Sequence, residues 1–120
     1  MRIMKLLHAD FYHDNVTACP GLQVAVASRW WEKFLGLMGR TQMPGFDCLW
    51  LQSCSSIHTC FMRIRIDIAF LNEQGVVVKK CQQLGPWRLS FCFGAKSVLE
   101  FSAGSLEKFG IEEGWKFICR

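Results

Sequence analysis

The chain has 120 residues, of which 51% are hydrophobic and 20% charged, and its formal net charge is +4 at pH 7. These values exclude intrinsic disorder and fit a single domain, residues 1–120, that can bury its own core. The basic residues are scattered, with Lys79 and Lys80 the only adjacent pair, so the sequence predicts a solvated surface and not a nucleic-acid site.

The sequence carries no recognisable membrane or export signal. No run reaches the roughly 20 apolar residues of a membrane span. The start has basic residues at Arg2 and Lys5, but its apolar part stops at His8, short of a secretory signal. Seven cysteines, an odd number without a Cys-x-x-Cys pair, argue against a disulfide framework. We therefore expect a cytoplasmic protein with free thiols and no membrane association.

The first part of the chain predicts two strands and a helix. Ile3–Phe11 is the first strand candidate, and Pro20-Gly21 predicts a turn. Leu22–Ala27 alternates large apolar with small or polar residues, as a strand does. Ser28 is a suitable N-cap for a helix at about Arg29–Met38, where apolar residues recur at helical spacing.

The remainder predicts short strands. They are Asp47–Leu51, Met62–Leu71, Val76–Gln82, Leu89–Phe93, Ser97–Phe101 and Trp115–Cys119. Asn72–Gly75 predicts a hairpin turn, with Gly75 supplying a positive φ, and Ser105 is placed to cap a helical turn, Leu106–Phe109, closed by Gly110. The predicted fold is mainly β: a β-sandwich or partly open barrel of seven or eight short strands with one N-terminal helix and the short helical turn.

Met62–Leu71 shows the clearest pattern. Met62, Ile64, Ile66, Ile68 and Phe70 fall on one face, which predicts a central strand with these side chains in the core. Asp67 falls on the other face, beside two arginines. A covered acid must be paired, so we expect Asp67 to contact an arginine or backbone donors, with a ligand-binding role as the alternative.

The cysteines and histidine around this strand raise the question of a metal. Cys48, Cys54, His58 and Cys60 have spacings that match no zinc pattern. His58, Cys60 and Met62 form a soft-ligand set suited to copper if they share one face. Adjacent ligands alone do not make a coordination sphere, so we predict no bound metal and no cofactor.

A nucleophilic pair is a second possibility. Cys54 and His58 could meet across a turn, with Asp67 orienting the ring. The structural alternative places Cys54 at a loop edge, and the sequence does not decide whether the two side chains touch. Trp87-Arg88 also has two interpretations: a tryptophan packed over a loop beside a solvated arginine, or a stacking platform beside a cation.

Several ordered blocks resemble the family called domain of unknown function 192, a family of bacterial type. Gly36–Arg40 resembles its GLMGR signature, and Ser56–Thr59, Phe61–Arg63 and Ile66–Leu71 resemble its central SIHT, FMR and ID-FL motifs. Pro86–Arg88, Val98–Glu100, Ala103-Gly104, Gly110 and Gly114 follow in the family's order. The match covers about Leu22 to Phe117. The chain departs from the pattern at Cys60, often aromatic, and at Arg65, often proline.

The resemblance implies a small, mostly β domain with an N-terminal helix and no established activity. Two hypotheses follow for the function. The first is a small non-catalytic module that binds a small molecule or a peptide in a polar pocket at one end of the sheet, with no catalytic residue. The second is a small hydrolase or metal-dependent enzyme that uses Cys54 and His58. The predicted ligand-binding residues of the first are Arg40, His58, Thr59, Met62, Asp67, Trp87 and Arg88.

Overall fold

The computed structural model describes residues 5–27, 45–60 and 63–119. Within these ranges the chain forms nine strands and one short helix. The strands are β1 (Lys5–His13), β2 (Val16–Ala27), β3 (Cys48–Gln52), β4 (Ser56–His58), β5 (Ile66–Leu71), β6 (Val77–Leu84), β7 (Leu89–Phe91), β8 (Ser97–Ser102) and β9 (Lys116–Cys119), and the helix, α1, is Ser105–Phe109. The predicted helix at about Arg29–Met38 lies outside the described residues.

Seven strands form one mixed, open sheet in the order β6-β5-β8-β3-β2-β1-β9, and β4 pairs with β7 in a second sheet. Only β2 and β3 run parallel among the described pairs. The mainly β prediction is confirmed. The nine described strands exceed the seven or eight predicted, because the three-residue β4 is too short to show an alternating pattern in the sequence.

The first hairpin turns at a different place from the predicted one. Asp14 and Asn15 have φ of 51° and 62°, the paired left-handed conformation of a tight hairpin turn. β2 continues through Pro20-Gly21, so the predicted turn there is wrong. The register with β1 shifts at this point, and the Asp10 Oδ1 accepts the Gly21 N–H at 2.8 Å. A bulge with its own hydrogen-bond partner replaces the turn.

The two faces of the large sheet support two separate cores. The first core includes Phe11, Val24, Leu99, Phe101 and Phe117. The second core includes Leu49, Ile57, Ile66, Phe70 and Val98. Because Ile57 belongs to β4, the small β4–β7 sheet packs over the second core.

β5 is a central strand, as predicted. It lies between β6 and β8, and all six of its residues are buried. Ile66, Ile68 and Phe70 enter the second core, and the neighbouring residues Ala69 and Leu71 enter the first. The strand starts at Ile66, later than predicted, and Met62 lies outside the described residues.

Asp67 ties β5 to two other elements. Its carboxylate is fully buried. Oδ1 accepts the Gln83 N–H from β6 at 2.9 Å, and Oδ2 accepts the Leu106 N–H from α1 at 3.0 Å. The prediction that Asp67 pairs with backbone donors is therefore confirmed. A charged acceptor with two amide donors satisfies the burial requirement of the acid and an orphan amide of the helix together.

The helix itself begins one residue earlier than predicted. Gly104, in a left-handed conformation, is the N-cap, and no cap side chain bonds to the helix. The predicted cap, Ser105, is the first helical residue, and its hydroxyl lies 2.8 Å from the Ser102 hydroxyl. The prediction of a serine cap is wrong because Asp67, distant in sequence, already takes a first-turn amide. Gly110 ends the helix in a left-handed conformation, as predicted.

The two edge strands of the large sheet meet at one point. A bridge joins Val76, just before β6, to Lys116 in β9. The Phe117 N–H donates to the Gly75 carbonyl at 2.8 Å. Gly75 has φ +81°, as the predicted turn requires, and a Cβ there would lie 2.8 Å from the Phe117 carbonyl oxygen. Only glycine allows the turn and β9 to approach this closely.

Gly75→Ala therefore destabilises the fold for two reasons. The left-handed conformation costs about 1–2 kcal/mol for an L-residue, and the contact with Phe117 adds a further penalty. Gly94→Ala is a matched control, because Gly94 has φ +83° but open space around its position. Urea unfolding measures both. Equal losses for the two variants would show that the approach of Gly75 to β9 contributes nothing.

Asp67→Asn removes one of two acceptors. An asparagine offers one oxygen and one NH₂, so either the Gln83 or the Leu106 amide faces a donor, and we expect a loss of about 2–4 kcal/mol in unfolding free energy. Asp47→Asn is the control, because the Asp47 carboxylate accepts one backbone N–H, from Gln23 at 2.7 Å, and asparagine can keep it. Similar unfolding free energies for the two variants would contradict the bridging role of Asp67.

Candidate functional site

A row of exposed apolar side chains follows β7. We call it the apolar row; its members are Trp87, Leu89, Phe91 and Phe93, with exposed fractions of 63%, 72%, 54% and 93%. Leu89 and Phe91 belong to β7 and point to the same face. Trp87 and Phe93 lie just outside the strand, and the Phe91 and Phe93 ring centroids lie 5.8 Å apart. An exposed patch of this kind on a protein surface indicates an interaction site.

His58 lies beside the apolar row. In the β4–β7 pairing, His58 is opposite Leu89 and Ser56 is opposite Phe91, while the buried Ile57 is opposite the buried Ser90. The exposed face of the small sheet therefore carries two parallel rows. One is apolar, and the other consists of the polar side chains of Ser56 and His58.

Thr59 fixes the loop that leads into the apolar row. Its side chain is fully buried, and its hydroxyl donates to the Gly85 carbonyl and accepts the Arg88 N–H, both at 2.7 Å. Its backbone N–H donates to the Arg88 carbonyl at 2.8 Å, and its carbonyl accepts the Trp87 N–H at 3.1 Å. Thr59 thus positions the loop, and its buried hydroxyl is engaged by two backbone groups.

Trp87 has an unusual backbone conformation in this loop. Its φ is 61°, a value that a large side chain adopts only where surrounding contacts impose it. The bonds to Thr59 supply those contacts. They hold the indole outward at the head of the apolar row, where burial would otherwise be favoured.

The face is cationic. Residues 53–66 and 74–99 contain β4, β6 and β7 whole, and they include six Lys or Arg residues and no Asp or Glu. Lys80 is paired with Glu112 at 2.8 Å. Lys79 contacts the apolar row. Its Nζ donates to the Phe91 carbonyl at 2.9 Å and lies 5.9 Å from the Phe91 ring centroid. Lys79 therefore places a positive charge beside the exposed Phe91 ring, and the segments that form this face carry no acidic residue.

The structure brings four of the predicted ligand-binding residues together. His58, Thr59, Trp87 and Arg88 meet through the β4–β7 pairing and the Thr59 hydrogen bonds. Asp67 is separate from this group: it lies on the first-core face of β5 with Ala69 and Leu71, and its carboxylate accepts two backbone amides. Arg40 and Met62 lie outside the described residues.

Cys54 precedes β4 and packs against the second core, whereas His58 is exposed. Its thiol contacts the Leu51 carbonyl at 3.7 Å. Ser56 and His58 are about 6–7 Å apart along an extended strand, and Cys54 lies two residues further back. A catalytic Cys54–His58 pair stays a prediction.

The described ranges contain no group of three His, Cys, Asp or Glu side chains that could hold a metal ion. All seven cysteines are free thiols, and burial raises the pKa of Cys48 well above its usual value. No helix within the described ranges has the length and apolar character needed to cross a membrane.

Sequence reasoning missed Glu100, the least expected buried group. It lies on the second-core face of β8, between Leu49 of β3 and Ile68 of β5, and is 2% exposed. Its Oε2 has no hydrogen-bond partner in the described part of the chain. Burial raises its pKa from 4.5 to about 8. The signal was present, since Glu100 is an acid within the apolar strand Ser97–Ser102, just as Asp67 is within β5.

The fold therefore loses stability as pH rises. The unfolded chain releases the Glu100 proton near pH 4.5 and the folded chain near pH 8, so the unfolding free energy falls between these values by up to about 1.4 kcal/mol per pH unit. Glu100→Gln removes this slope, whereas Glu107→Gln, on the exposed side of α1, leaves it unchanged. Urea unfolding across this interval measures it. Equal slopes for wild type and Glu100→Gln would contradict a protonated Glu100 in the core.

Two solved structures share this fold. A Sinorhizobium meliloti 1021 protein described as a "putative transcription regulator" has a TM-score of 0.86 and 16% identity, covering 99% of this chain and 97% of its own. A protein of unknown function from Novosphingobium aromaticivorans DSM 12444 has a TM-score of 0.81 and 18% identity, covering 96% of this chain and 86% of its own. At these identities the likeness shows the fold alone.

No curated protein matches the chain in a sequence comparison. The model of one protein family does match, over residues 13–118. That range contains the resemblance noted in the sequence and nearly all of the described strands. The chain belongs to the domain of unknown function 192 family, described as Uncharacterized ACR.

Proposed function

We propose that the protein is a non-catalytic binding module that docks an acidic, apolar peptide segment of another protein on the exposed face of the β4–β7 sheet. The observation that carries this proposal is the apolar row. Four large side chains, each more than half exposed, occupy alternate positions from Trp87 to Phe93, within β7 and on either side of it.

The charge of the face supports an acidic partner. No Asp or Glu occurs in residues 53–66 or 74–99, while Arg63, Arg65, Lys79, Arg88 and Lys96 do. Partners match potentials across an interface, because like charges brought together without compensation cost free energy. A second copy of this chain would place two cationic faces against each other. An acidic partner meets the charge without that repulsion.

The polar row supports a peptide as the occupant. Ser56 and His58 run alongside the apolar row and offer hydrogen-bonding groups at fixed positions. A polypeptide has donors and acceptors at matching intervals, whereas acyl chains have none. Trp87 and the phenylalanines are residue types that act as rigid anchors in such interfaces.

The test uses a fluorescent peptide in which Leu or Phe alternates with Glu or Asp over the length of the apolar row, with fluorescence anisotropy as the readout. We expect saturable binding that weakens with salt. Leu89→Ser should weaken it by about tenfold or more, because a central anchor contributes about 1.4 kcal/mol or more. Leu6→Ser is the matched control: Leu6 is 54% exposed on β1, away from this face, and its loss should leave affinity unchanged.

Other occupants are tested in parallel. Binding is measured for the peptide with Lys in place of Glu and Asp, for anionic phosphatidylglycerol vesicles and for a short random-sequence DNA duplex. Analytical ultracentrifugation of the protein alone measures its self-association. Preference for the vesicles, the DNA or a second copy, abolished by Leu89→Ser, would overturn the peptide proposal. So would an absence of peptide binding, or equal binding of the acidic and basic peptides.

A further inference from the structure

A separate cleft lies at the edge of the large sheet where β3 and β5 end and β8 begins. Its volume is about 520 Å³, within the usual size range of small-molecule sites. The lining includes Trp50, Leu71 and Phe117 on the first-core side, and the rim includes the turn between β5 and β6. The closure of that turn onto β9 through Gly75 forms one wall of the cleft.

The rim is rich in uncharged hydrogen-bonding groups. Gln52, Ser53, Asn72, Gln74 and Ser97 contribute amides and hydroxyls. The two charged members, Glu73 and Lys96, have opposite signs. The Asn72 Oδ1 accepts the Gln74 and Val76 amides at 3.0 and 2.9 Å, which leaves its NH₂ as a donor. The balance fits a neutral ligand that carries several hydroxyl groups.

Trp50 adds an aromatic surface and an unused donor. Its ring meets Phe117 edge-on, with centroids 5.2 Å apart, and the residue is only partly buried. Its indole Nε1 is buried and has no acceptor in the described part of the chain. Buried donors without an acceptor are rare in folded proteins, and a tryptophan beside a cleft normally uses this group on a partner.

We propose that this cleft binds an uncharged saccharide, with the pyranose ring against Trp50 and its hydroxyls on the amide rim. Sugars combine a weakly apolar ring face with many hydroxyls, and the cleft offers both kinds of contact in one place. A ring of this kind fits within the volume. In this proposal a ligand oxygen supplies the acceptor that the Trp50 indole lacks. The site is independent of the peptide-docking face.

The probes are N-acetylglucosamine, maltose and cellobiose, added to the full chain labelled with ¹⁵N. We expect at least one of them to bind and to shift the indole cross-peak of Trp50, which is assigned from its loss in Trp50→Phe. Trp50→Phe keeps an aromatic ring, although a smaller one, and removes the N–H, so affinity should fall by about tenfold. Trp87→Phe is the matched control, because Trp87 lies on the β4–β7 face, and it should bind like wild type.

Gln52→Ala and Gln74→Ala keep the proposal testable if Trp50→Phe disturbs folding, since each removes one rim amide and should weaken binding. No binding of any of the three sugars would overturn the proposal. Binding that shifts the Trp87 cross-peak, or that survives all three cleft variants, would overturn it as well. Leu89→Ser should bind sugar normally, so failure of the peptide proposal leaves this test unaffected.

Discussion

The buried carboxylate of Asp67 is the contact on which the arrangement of the domain depends. One oxygen receives an amide from β6 and the other an amide from α1, so a single side chain of the central strand fixes elements on both sides of it. A buried acid is stable only when donors surround it, and these donors come from backbone that regular sheet or helix bonding leaves unpaired. The position of Gln83 also sets where the following loop begins, and that loop carries Trp87.

The exposed face of the small sheet follows from this arrangement. The Thr59 hydroxyl donates to the Gly85 carbonyl and accepts the Arg88 amide. These bonds hold the loop after β6 against the end of β4. Ile57 and Ser90 then point into the second core, and the alternating residues Leu89 and Phe91 must point outward. Leu89 and Phe91 are therefore exposed because of the strand geometry, and core packing does not account for their exposure.

Sequence patterns predicted the parts of the structure that depend on local alternation. Apolar alternation places Ile66, Ile68 and Phe70 on one face, and the left-handed turns are predicted by Gly75 and Gly110.

Sequence patterns failed where contacts between residues distant in sequence decided the outcome. Pro20-Gly21 predicts a turn, but Asp10 accepts the Gly21 amide and β2 continues. Ser105 predicts a helix cap, but Asp67 accepts the first-turn amide of that helix. Thr59 could be placed near the candidate site from sequence, but its role in holding the loop needed the pairing of β4 with β7. The burial of Glu100 depends on its neighbours in β3 and β5, which local alternation does not show.

The strand order also determines when the sheet can be completed during synthesis on the ribosome. β8 inserts between β3 and β5, and β9 pairs with β1, so two of the latest segments to be synthesised complete the sheet. Until β8 emerges, β3 and β5 each have an unpaired edge, and the thiol of Cys48 has no cover from Phe101 opposite it. Unpaired strand edges invite association with other chains. These two edges therefore stay unpaired until the last part of the chain is available, and Cys48 gains its cover only then.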